Sequence, residues 1–355
     1  MATERLLALG IETSCDDTAC AVVDSEGRVL STVVSSQLAA HRPYGGVVPE
    51  IASREHLRNW PPVSEAALAE AGVSVDQIDV IAATKGPGLI GSLLVGLSIG
   101  KAIAYSLHKS FQAVHHLEGH LYSPFLGEGG AVAETPPEEF LGLVVSGGHT
   151  SLFQVEAGKP TSLAETRDDA MGEVFDKVGK RLGLPYPQGP RVDELAEWGS
   201  GDNLRLAIAR CSDGSLDFSY SGLKSQTLME IQKLEAAGVE TNLGPLADAD
   251  MPRPVLDLLA SFRIAAVEEI VERLERLRAT RPITMLAVSG GVAANRLLRP
   301  RLQEWAEENQ IGLRLVPLVY AGDNAAMIAH AALMRHAWGH EDDPLSVDAA
   351  SRIPL

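Results

Sequence analysis

Apolar runs that end in short polar turns open the chain and recur in its middle. The first series is LLALGIETS, CDDTACAVVDSEG and RVLSTVVSS, and the second is FLGLVVSGGHT, SLFQVEAG and the weaker PTSLAET. Short apolar runs bounded by Gly, Ser, Asp or Asn are typical of β-strands joined by turns. The sequence therefore predicts two similar three-strand meanders, which indicate an internal duplication and a two-lobed α/β protein.

Two further apolar runs lead through glycine turns into helical segments, namely DVIAATKGPG and TMLAVSGGVAANRLLRPRL. Backbone N–H groups and the positive dipole end at such a junction accept phosphate, although ordinary turn geometry also explains the glycines. Two Ser-Gly-Gly turns, at residues 146–148 and 289–291, suit a ligand such as a nucleotide held between backbones. We expect Asn295 to lie one turn into the following helix and to contact a base or ribose.

The same patterns give the domain boundaries. Residues 1–126 form an N-terminal lobe with a histidine-bearing helix, and residues 140–322 form a C-terminal lobe with the nucleotide or donor site. A loop rich in Gly, Pro and Glu, residues 127–139, joins the lobes. Residues 323–340 are predicted to form a closing helix that packs back on the N-terminal lobe. The acidic tail, residues 341–355, has a composition typical of disorder.

Composition narrows the class of protein. The 355 residues are 45% hydrophobic but only 5% aromatic, which is typical of a globular α/β protein with an aliphatic core. The formal net charge of −17 disfavours nucleic-acid binding unless a local basic face or a partner protein supplies positive charge. Basic clusters that could do so, or could be ordinary solvated helix faces, are Lys177, Lys180 and Arg181, and Arg296, Arg299 and Arg301.

Cysteine content and hydropathy indicate the compartment. Cys15, Cys20 and Cys211 have no metal-binding or disulfide spacing, and so sparse a count is typical of the reducing cytosol. The long apolar run GLIGSLLVGLSIGKAIAYSL, from Gly88, contains Lys101 and many small residues. These features favour a buried, closely packed helix over a membrane span. We therefore expect a cytoplasmic protein with no membrane partner.

The segment HHLEGH places His116 and His120 four residues apart, with Glu118 between them. In a helix both imidazoles would project from one face, where they could hold a metal with a third ligand from elsewhere. A buried or capping pair is the alternative. Asp323, in VYAGDNAAMIAHA, is the best candidate for the third ligand, although it could instead be a helix N-cap. The glutamate does not have the position it has in the zinc-protease motif H-E-x-x-H.

Seven segments in this order resemble the TsaD family of tRNA threonylcarbamoyladenosine synthesis enzymes, particularly its bacterial branch. They are GIETSCDDTACAVV, YGGVVPEIASREH, HHLEGH, VVSGGHT, GEVFDKVGKRLGLPYPQGP, SGGVAANRLLR and AGDNAAMIA. The resemblance implies an actin-like, sugar-kinase-like (ASKHA) fold with two RNase-H-like lobes from a duplicated βββαβα unit. It also implies transfer of a threonylcarbamoyl group from L-threonylcarbamoyl-adenylate to N6 of adenosine 37 in tRNAs that read codons beginning with A, with release of AMP.

The resemblance also implies site residues. His116, His120 and Asp323 match the ligands of one Fe²⁺ or Zn²⁺ per subunit. The positions that match the donor site are Val144, Val145, Ser146, Gly147, Gly148, Asp176, Gly189, Asp193 and Asn295. Gln188 stands where the family usually has a glycine, and we expect it to narrow the pocket wall. Glu12 and Asp16 are candidates for taking up the released proton, with a structural turn role as the alternative.

The implied partners are tRNA, a paralogous TsaB-like subunit and a small P-loop ATPase that resembles TsaE. Three other functions share some of these features. A metallopeptidase would use the histidine pair, a sugar-kinase-like or chaperone-like ATPase would use the same fold, and a related enzyme could transfer carbamoyl groups to small molecules. The ordered set of motifs favours the tRNA enzyme over all three.

Overall fold

The structure, a computed structural model, describes residues 5–202, 204–211 and 213–355. It divides into two compact units. The first extends to Pro137 and resumes with Val316–Leu355, and the second is Glu138–Leu315. The end of the chain therefore belongs to the same unit as its beginning.

Each unit is built on one five-stranded sheet. The strands of the first unit are β1 (Leu7–Glu12), β2 (Asp17–Asp24), β3 (Val29–Ser36), β4 (Val80–Gly86) and β5 (Ser110–His115). Those of the second unit are β6 (Glu139–Val145), β7 (Thr150–Glu156), β8 (Lys159–Glu165), β9 (Met285–Ser289) and β10 (Gly312–Leu315).

The two sheets have the same topology. Their strand orders are β3-β2-β1-β4-β5 and β8-β7-β6-β9-β10. In each, the first three strands form an antiparallel meander, and the fourth and fifth add in parallel. Both predicted meanders and the predicted duplication are therefore confirmed.

Helices connect the strands and cover the sheets. In the first unit they are α1 (Leu38–His41), α2 (Pro49–Ala71), α3 (Ile90–Leu107) and α4 (His116–Tyr122). In the second they are α5 (Met171–Arg181), α6 (Gln188–Ala196), α7 (Ser221–Ala236), α8 (Arg253–Arg278) and α9 (Leu298–Asn309). The last helix, α10 (Ala325–Ala337), belongs to the first unit.

The first sheet is buried on both faces. On one face, alternate residues such as Leu9 and Ile11 join a core cluster with Val63 of α2 and Leu97 of α3. On the other face, α10 packs on β1, β2 and β4. Because side chains alternate across a strand, Gly10 and Glu12 lie on the side of α10. This face carries the candidate site.

Helix α3 is long and apolar enough to cross a membrane by length and composition, and 33% of it is buried. Its buried residues include Gly96 and Gly100, which lie close to Thr13 and Phe111 respectively. The expectation of close packing is therefore correct for one face. The other face is exposed and includes Leu94 and Tyr105, so the expectation of a buried helix holds for one face only.

The acidic tail is ordered against the first sheet, which corrects the expectation of disorder. The backbone N–H of Asp342 donates to the carbonyl of Phe111 at 3.1 Å, and that of Ala350 donates to Lys85 at 2.9 Å. Phe111 belongs to β5, an edge strand with backbone groups available for such bonds, and Lys85 lies near the end of β4. Composition alone did not reveal these backbone contacts.

Position 10 tests how closely α10 packs on β1. A methyl group on Gly10 would lie 2.2 Å from the carbonyl oxygen of Ala325 and 2.9 Å from the backbone nitrogen of Ala329. We expect Gly10→Ala to destabilise the protein by on the order of 1–3 kcal/mol, because backbone atoms cannot move aside cheaply. Thermal denaturation measures the change.

Gly46→Ala is the matched control, since a methyl group there would meet no atom within 4 Å. It should leave the melting temperature within the range of an ordinary surface substitution. Equal melting temperatures for the two variants would contradict the close contact between α10 and β1.

Candidate metal centre and ligand cavity

The two histidines of HHLEGH lie on one face of α4, as their spacing predicts. Their rings meet edge to face with centroids 4.8 Å apart. Both side chains are buried. A helix of seven residues thus presents two imidazoles to the same point.

Asp323 is not the N-cap of α10. That role belongs to Asn324, whose side-chain oxygen accepts the N–H of Met327 at 2.9 Å. The carboxylate of Asp323 faces the histidines instead. Its Oδ1 lies 3.2 Å from Nε2 of His120 and 3.5 Å from Nε2 of His116.

These three side chains fit the donor set of a metal site. One ligand-type atom from each lies within 4.8 Å of the others. Two imidazoles and one carboxylate that leave positions open are typical of catalytic zinc and non-haem iron sites. Asp323 is 29% exposed while the histidines are almost fully buried, so solvent reaches the group from the carboxylate side.

Glu12 orients one of the histidines. Its Oε2 lies 3.1 Å from Nδ1 of His116 and accepts the hydroxyl of Thr84 at 2.6 Å. The backbone N–H of Ser14 donates to the other oxygen. A carboxylate that accepts Nδ1–H of a histidine fixes the ring and leaves Nε2 free as a ligand. The geometry therefore favours an orienting role for Glu12 over that of a free proton acceptor.

The charges of this cluster depend on one another. Burial by itself lowers the pKa of His116, but the carboxylates of Asp323 and Glu12 outweigh it and raise that pKa well above its usual value. Burial would raise the pKa of Asp323, yet His116 and His120 hold it well below its usual range. Burial lowers the pKa of His120. The cluster thus favours one positive charge among its two carboxylates.

Asp16, the other candidate proton acceptor, lies in the turn between β1 and β2. Its backbone carbonyl accepts the N–H of Gln37 at 3.0 Å, which ties this turn to the end of β3. This contact involves only the backbone, so the role of the Asp16 carboxylate stays a prediction.

Glu118, between the two histidines, is paired with a different residue. Its Oε2 accepts Nη1 of Arg335 on α10 at 3.3 Å. A metallopeptidase requires its glutamate to act as general base on a metal-bound water. Glu118 is committed to an ion pair, so the arrangement disfavours the peptidase alternative.

The second unit contains a cavity of about 350 Å³. This volume lies within the range of about 300–1,000 Å³ that is usual for small-molecule sites. Five of the donor-site candidates line it, namely Gly147, Asp176, Gly189, Asp193 and Asn295. The other lining residues are Gly172, Phe175, Pro187, Pro190, Gly291, Val292, Ala294 and Arg296. Of these, Gly291 belongs to a Ser-Gly-Gly turn that the sequence singled out, whereas Phe175 carried no signal.

One wall of the cavity is the junction of α5 and α6. Oδ1 of Asp176 accepts the N–H groups of Gln188 at 3.0 Å and Gly189 at 2.7 Å, which are the first residues of α6. Burial raises the pKa of Asp176, although these two N–H groups oppose the shift. The predicted helix and rigid turn therefore form a pocket wall, with Asp176 as the residue that joins them.

Gln188 does not narrow this wall. Its side chain is buried against Gly179 of α5, where a Cβ atom would lie only 2.5 Å from that of Gln188. Pro187 and Gly189 line the cavity on either side of it. Gln188 thus fills the gap between two helices, which corrects the expectation from the sequence.

Asp193 and Asn295 both line the cavity and are hydrogen-bonded to each other. The side-chain amide of Asn295 donates to Oδ1 of Asp193 at 2.7 Å, and the backbone N–H of Arg296 donates to Oδ2 at 3.0 Å. Asn295 precedes α9, which begins at Leu298, because a 3₁₀ turn intervenes after the glycines. The prediction that it lies one turn into the helix is therefore wrong.

The remaining donor-site candidates lie on β6 or in the turn that follows it. Val144 and Val145 are fully buried in β6. The hydroxyl of Ser146 accepts the N–H of His149 at 3.1 Å, closing the turn that contains Gly147 and Gly148. Of the predicted stretch, only Gly147 is among the cavity-lining residues.

Comparison with known proteins identifies the family. The sequence model of TsaD, tRNA N6-adenosine threonylcarbamoyltransferase, matches residues 28–330. The chain belongs to the TsaD family. A family member from Pelobacter propionicus is 47% identical over 350 residues, which cover 98% of this chain and 96% of that protein. One from Syntrophobacter fumaroxidans is 46% identical over 351 residues, covering 98% and 99%. Membership of the TsaD family makes the chain a transferase.

Solved structures with low identity share the fold of this TsaD family member. Component A of the Acidaminococcus fermentans (R)-2-hydroxyglutaryl-CoA dehydratase has a TM-score of 0.52 at 13% identity, covering 94% of this chain and 100% of its own. HypF from T. kodakarensis has a TM-score of 0.59 at 16% identity, covering 94% and 48%. The fold is the actin-like, sugar-kinase-like (ASKHA) fold, with two RNase-H-like units from a duplicated βββαβα unit.

Removing the carboxylate of Asp176 should loosen the start of α6. We expect Asp176→Ala to cost about 1 kcal/mol, as loss of a side-chain acceptor at a helix N-terminus usually does. Hydrogen exchange at the amides of Gln188 and Gly189 should become faster. Glu173→Ala is the control, because Glu173 makes an exposed pair with Lys177 and such pairs contribute little. Unchanged hydrogen exchange at these two amides in the Asp176 variant would contradict the role of this carboxylate in holding the start of α6.

Proposed function

We propose that this chain transfers the threonylcarbamoyl group of L-threonylcarbamoyl-adenylate to N6 of adenosine 37 in tRNAs that read ANN codons, and that a metal assists the reaction. The products are N6-threonylcarbamoyladenosine and AMP. The observation that carries the proposal is the convergence of His116, His120 and Asp323, from segments about 200 residues apart in a TsaD family member, on one point. The chain therefore has a candidate site for a metal that activates the electrophile, and it also has a cavity for a ligand.

The metal ligands are assigned to His116, His120 and Asp323, with Glu12 behind His116. One Fe²⁺ or Zn²⁺ per subunit fits two imidazole nitrogens and a carboxylate oxygen. Bound there, the ion would supply a Lewis acid for the donor carbonyl. The protein's own contribution is to hold the rings, keep His120 neutral by burial, and leave Asp323 open to solvent.

The cavity in the second unit is assigned to the adenylate donor. A Cβ atom on Gly147 or Gly291 would meet no atom within 4 Å, so the wall is open to a ligand at both positions. Asp193 and Asn295 offer polar atoms, and Arg296 offers a cation beside them. This combination of an apolar wall and a few polar groups is typical of small-molecule and cofactor pockets.

The reaction is an acyl transfer. N6 of the adenine attacks the carbamoyl carbonyl carbon, and the bond from that carbon to the phosphate oxygen breaks with its electron pair on AMP. The proton lost from N6 passes to AMP or to solvent. Because a stacked base cannot present its exocyclic amine, the adenine must come from an unpaired loop and be splayed outward.

Charge supports a need for partner proteins. The net charge is −17. Several of the basic side chains that could form a phosphate-binding face are paired with acids, namely Lys177 with Asp169, Arg181 with Glu235, Arg296 with Glu197 and Arg301 with Glu268. We assign the missing positive surface to a TsaB-like paralogue and a small TsaE-like ATPase. We propose that this complex acts in the cytoplasm.

Reconstitution tests the proposed function. The chain is combined with its two partner proteins, threonine, bicarbonate, ATP and tRNA, and the digested tRNA is searched for N6-threonylcarbamoyladenosine by mass spectrometry. Asp323→Asn should abolish most of the product, whereas Asp76→Asn, an exposed acid before β4, should not change it. Casein added to the same mixture should remain intact. Casein cleavage without formation of the modified nucleoside would contradict the transferase proposal and support the metallopeptidase alternative.

Metal affinity should increase with pH. In metal-free protein the raised pKa of His116 keeps its ring protonated at neutral pH, and a metal must displace that proton. Displacing one proton raises the apparent affinity by about tenfold per pH unit below that pKa. Competition between the protein and a chromogenic chelator for Zn²⁺ measures this dependence. Glu12→Gln should weaken binding by about 10- to 100-fold and flatten the pH dependence. An affinity that does not change with pH would contradict this account.

The isolated chain, without its partner proteins, should bind tRNA weakly. At physiological salt we expect a Kd of about 10⁻⁶–10⁻⁴ M, typical of non-specific electrostatic contacts, and tighter binding once both partners are added. Filter binding with labelled tRNA measures both values. Nanomolar binding of tRNA by the isolated chain would show that its own surface is sufficient for tight binding without the partner proteins.

A further inference from the structure

The end of the chain runs along the first sheet and reaches the helix that carries the two histidines. We call residues 341–353 the C-terminal strap. Its route begins beside β5, passes the end of β4 and finishes at His115, the last residue of β5. All of these residues belong to the first unit.

Helix α4 needs support from outside itself. It has seven residues, and helices much shorter than about 12–15 residues are marginal on their own. A metal site also requires its ligands to be held within about 0.5 Å of the geometry that the metal needs. Contacts that fix α4 therefore determine where His116 and His120 lie.

The first contact is at the start of α4. His115 is its N-cap, and Nδ1 of His115 accepts the N–H of Leu117 at 3.2 Å. The proton of this ring must then be on Nε2, which lies 3.1 Å from the backbone carbonyl of Ile353 and donates to it. One imidazole thus connects the first turn of α4 to the end of the strap.

The second contact passes through Arg335. Its guanidinium donates to Glu118 on α4 at 3.3 Å, to Gln112 on β5 at 3.0 Å, and to Asp342 in the strap at 3.0 Å. The same oxygen of Asp342 also accepts the N–H of Ala113 at 2.9 Å. Glu118 and Arg335 are largely buried, so these bonds are shielded from water.

Between these two ends the strap is attached along its length. Lys101 donates to the carbonyl of Val347 at 2.7 Å, and the N–H of Gly88 donates to that of Ser351 at 3.3 Å. At Gly86 a Cβ atom would lie 2.1 Å from the carbonyl oxygen of Ala350. The backbone of the strap is therefore in direct contact with the backbone at the end of β4.

We propose that the C-terminal strap and Arg335 position α4, and thereby hold the two histidines where a metal requires them. They are positioning residues, since Arg335 bonds Glu118 of α4 and the strap acts through Arg335 and through the N-cap His115. The inference rests on the proposed metal site, yet the position of α4 can be measured without metal.

A short C-terminal truncation and a substitution at the other end of the strap test the idea. A stop codon after Ser351 removes the carbonyl of Ile353 but keeps the bonds at Ala350 and Ser351, and Arg352→Ala is its control because that side chain is exposed. Asp342→Ala removes the one acceptor of Arg335 that lies in the strap, and Glu341→Ala, an exposed neighbouring acid, is its control. The readouts are hydrogen exchange of metal-free protein and Zn²⁺ affinity by chelator competition.

We expect both the truncation and Asp342→Ala to accelerate hydrogen exchange at the α4 amides, while hydrogen exchange in β1–β3 stays unchanged. Zn²⁺ affinity should fall by about tenfold or more, as it does when outer contacts of metal ligands are lost. Both controls should behave like the unmodified chain.

Unchanged exchange in α4 together with unchanged Zn²⁺ affinity would overturn the inference. Equal acceleration throughout the first unit would also overturn it, because the strap would then be a general stabiliser. If α4 loosens selectively but even the unmodified chain fails to bind Zn²⁺, the strap keeps its positioning role and the proposed metal site fails.

Discussion

The close approach of α10 to β1 and to α4 is the constraint on which the candidate metal centre depends. Gly10 allows the backbone of α10 to lie directly on β1, and Gly119 lets α4 lie against Met327 and Ile328 of α10. A side chain at either glycine would push α10 outward. Since Asp323 immediately precedes α10, such a movement would carry its carboxylate away from the histidines.

Electrostatics then determines what this packed cluster can hold. Glu12 and Asp323 bring two carboxylates to a site where burial disfavours charge, and burial keeps His120 neutral. Two negative charges in low dielectric require a compensating cation. A proton on His116 provides one, and a divalent metal would provide a larger one. The same contacts therefore explain both the raised pKa of His116 and the suitability of the site for a metal.

Structural features that follow from the periodicity of the sequence were predicted correctly. Features that depend on the exact position of a single residue were not. The four-residue spacing of the histidines and the alternating strands follow directly from helix and strand geometry. Asp323 and Asn324 are both good N-cap residues, and only the start of α10 shows that Asn324 takes the role. Asn295 was misplaced because a 3₁₀ turn delays α9. The strap was missed because, Asp342 apart, the bonds described for it use its backbone atoms, which composition does not reveal.

The duplication explains why the ligands come from distant segments. Helix α4 follows β5, the fifth strand of the first sheet, and α10 follows β10, the corresponding strand of the second. These two helices are therefore equivalent in the repeat, yet both belong to the first unit. The second copy contributes its last helix to the first, and residues that follow the fifth strand of each copy come to face each other. A repeated fold thus acquires a site that neither copy could form from its own helix alone.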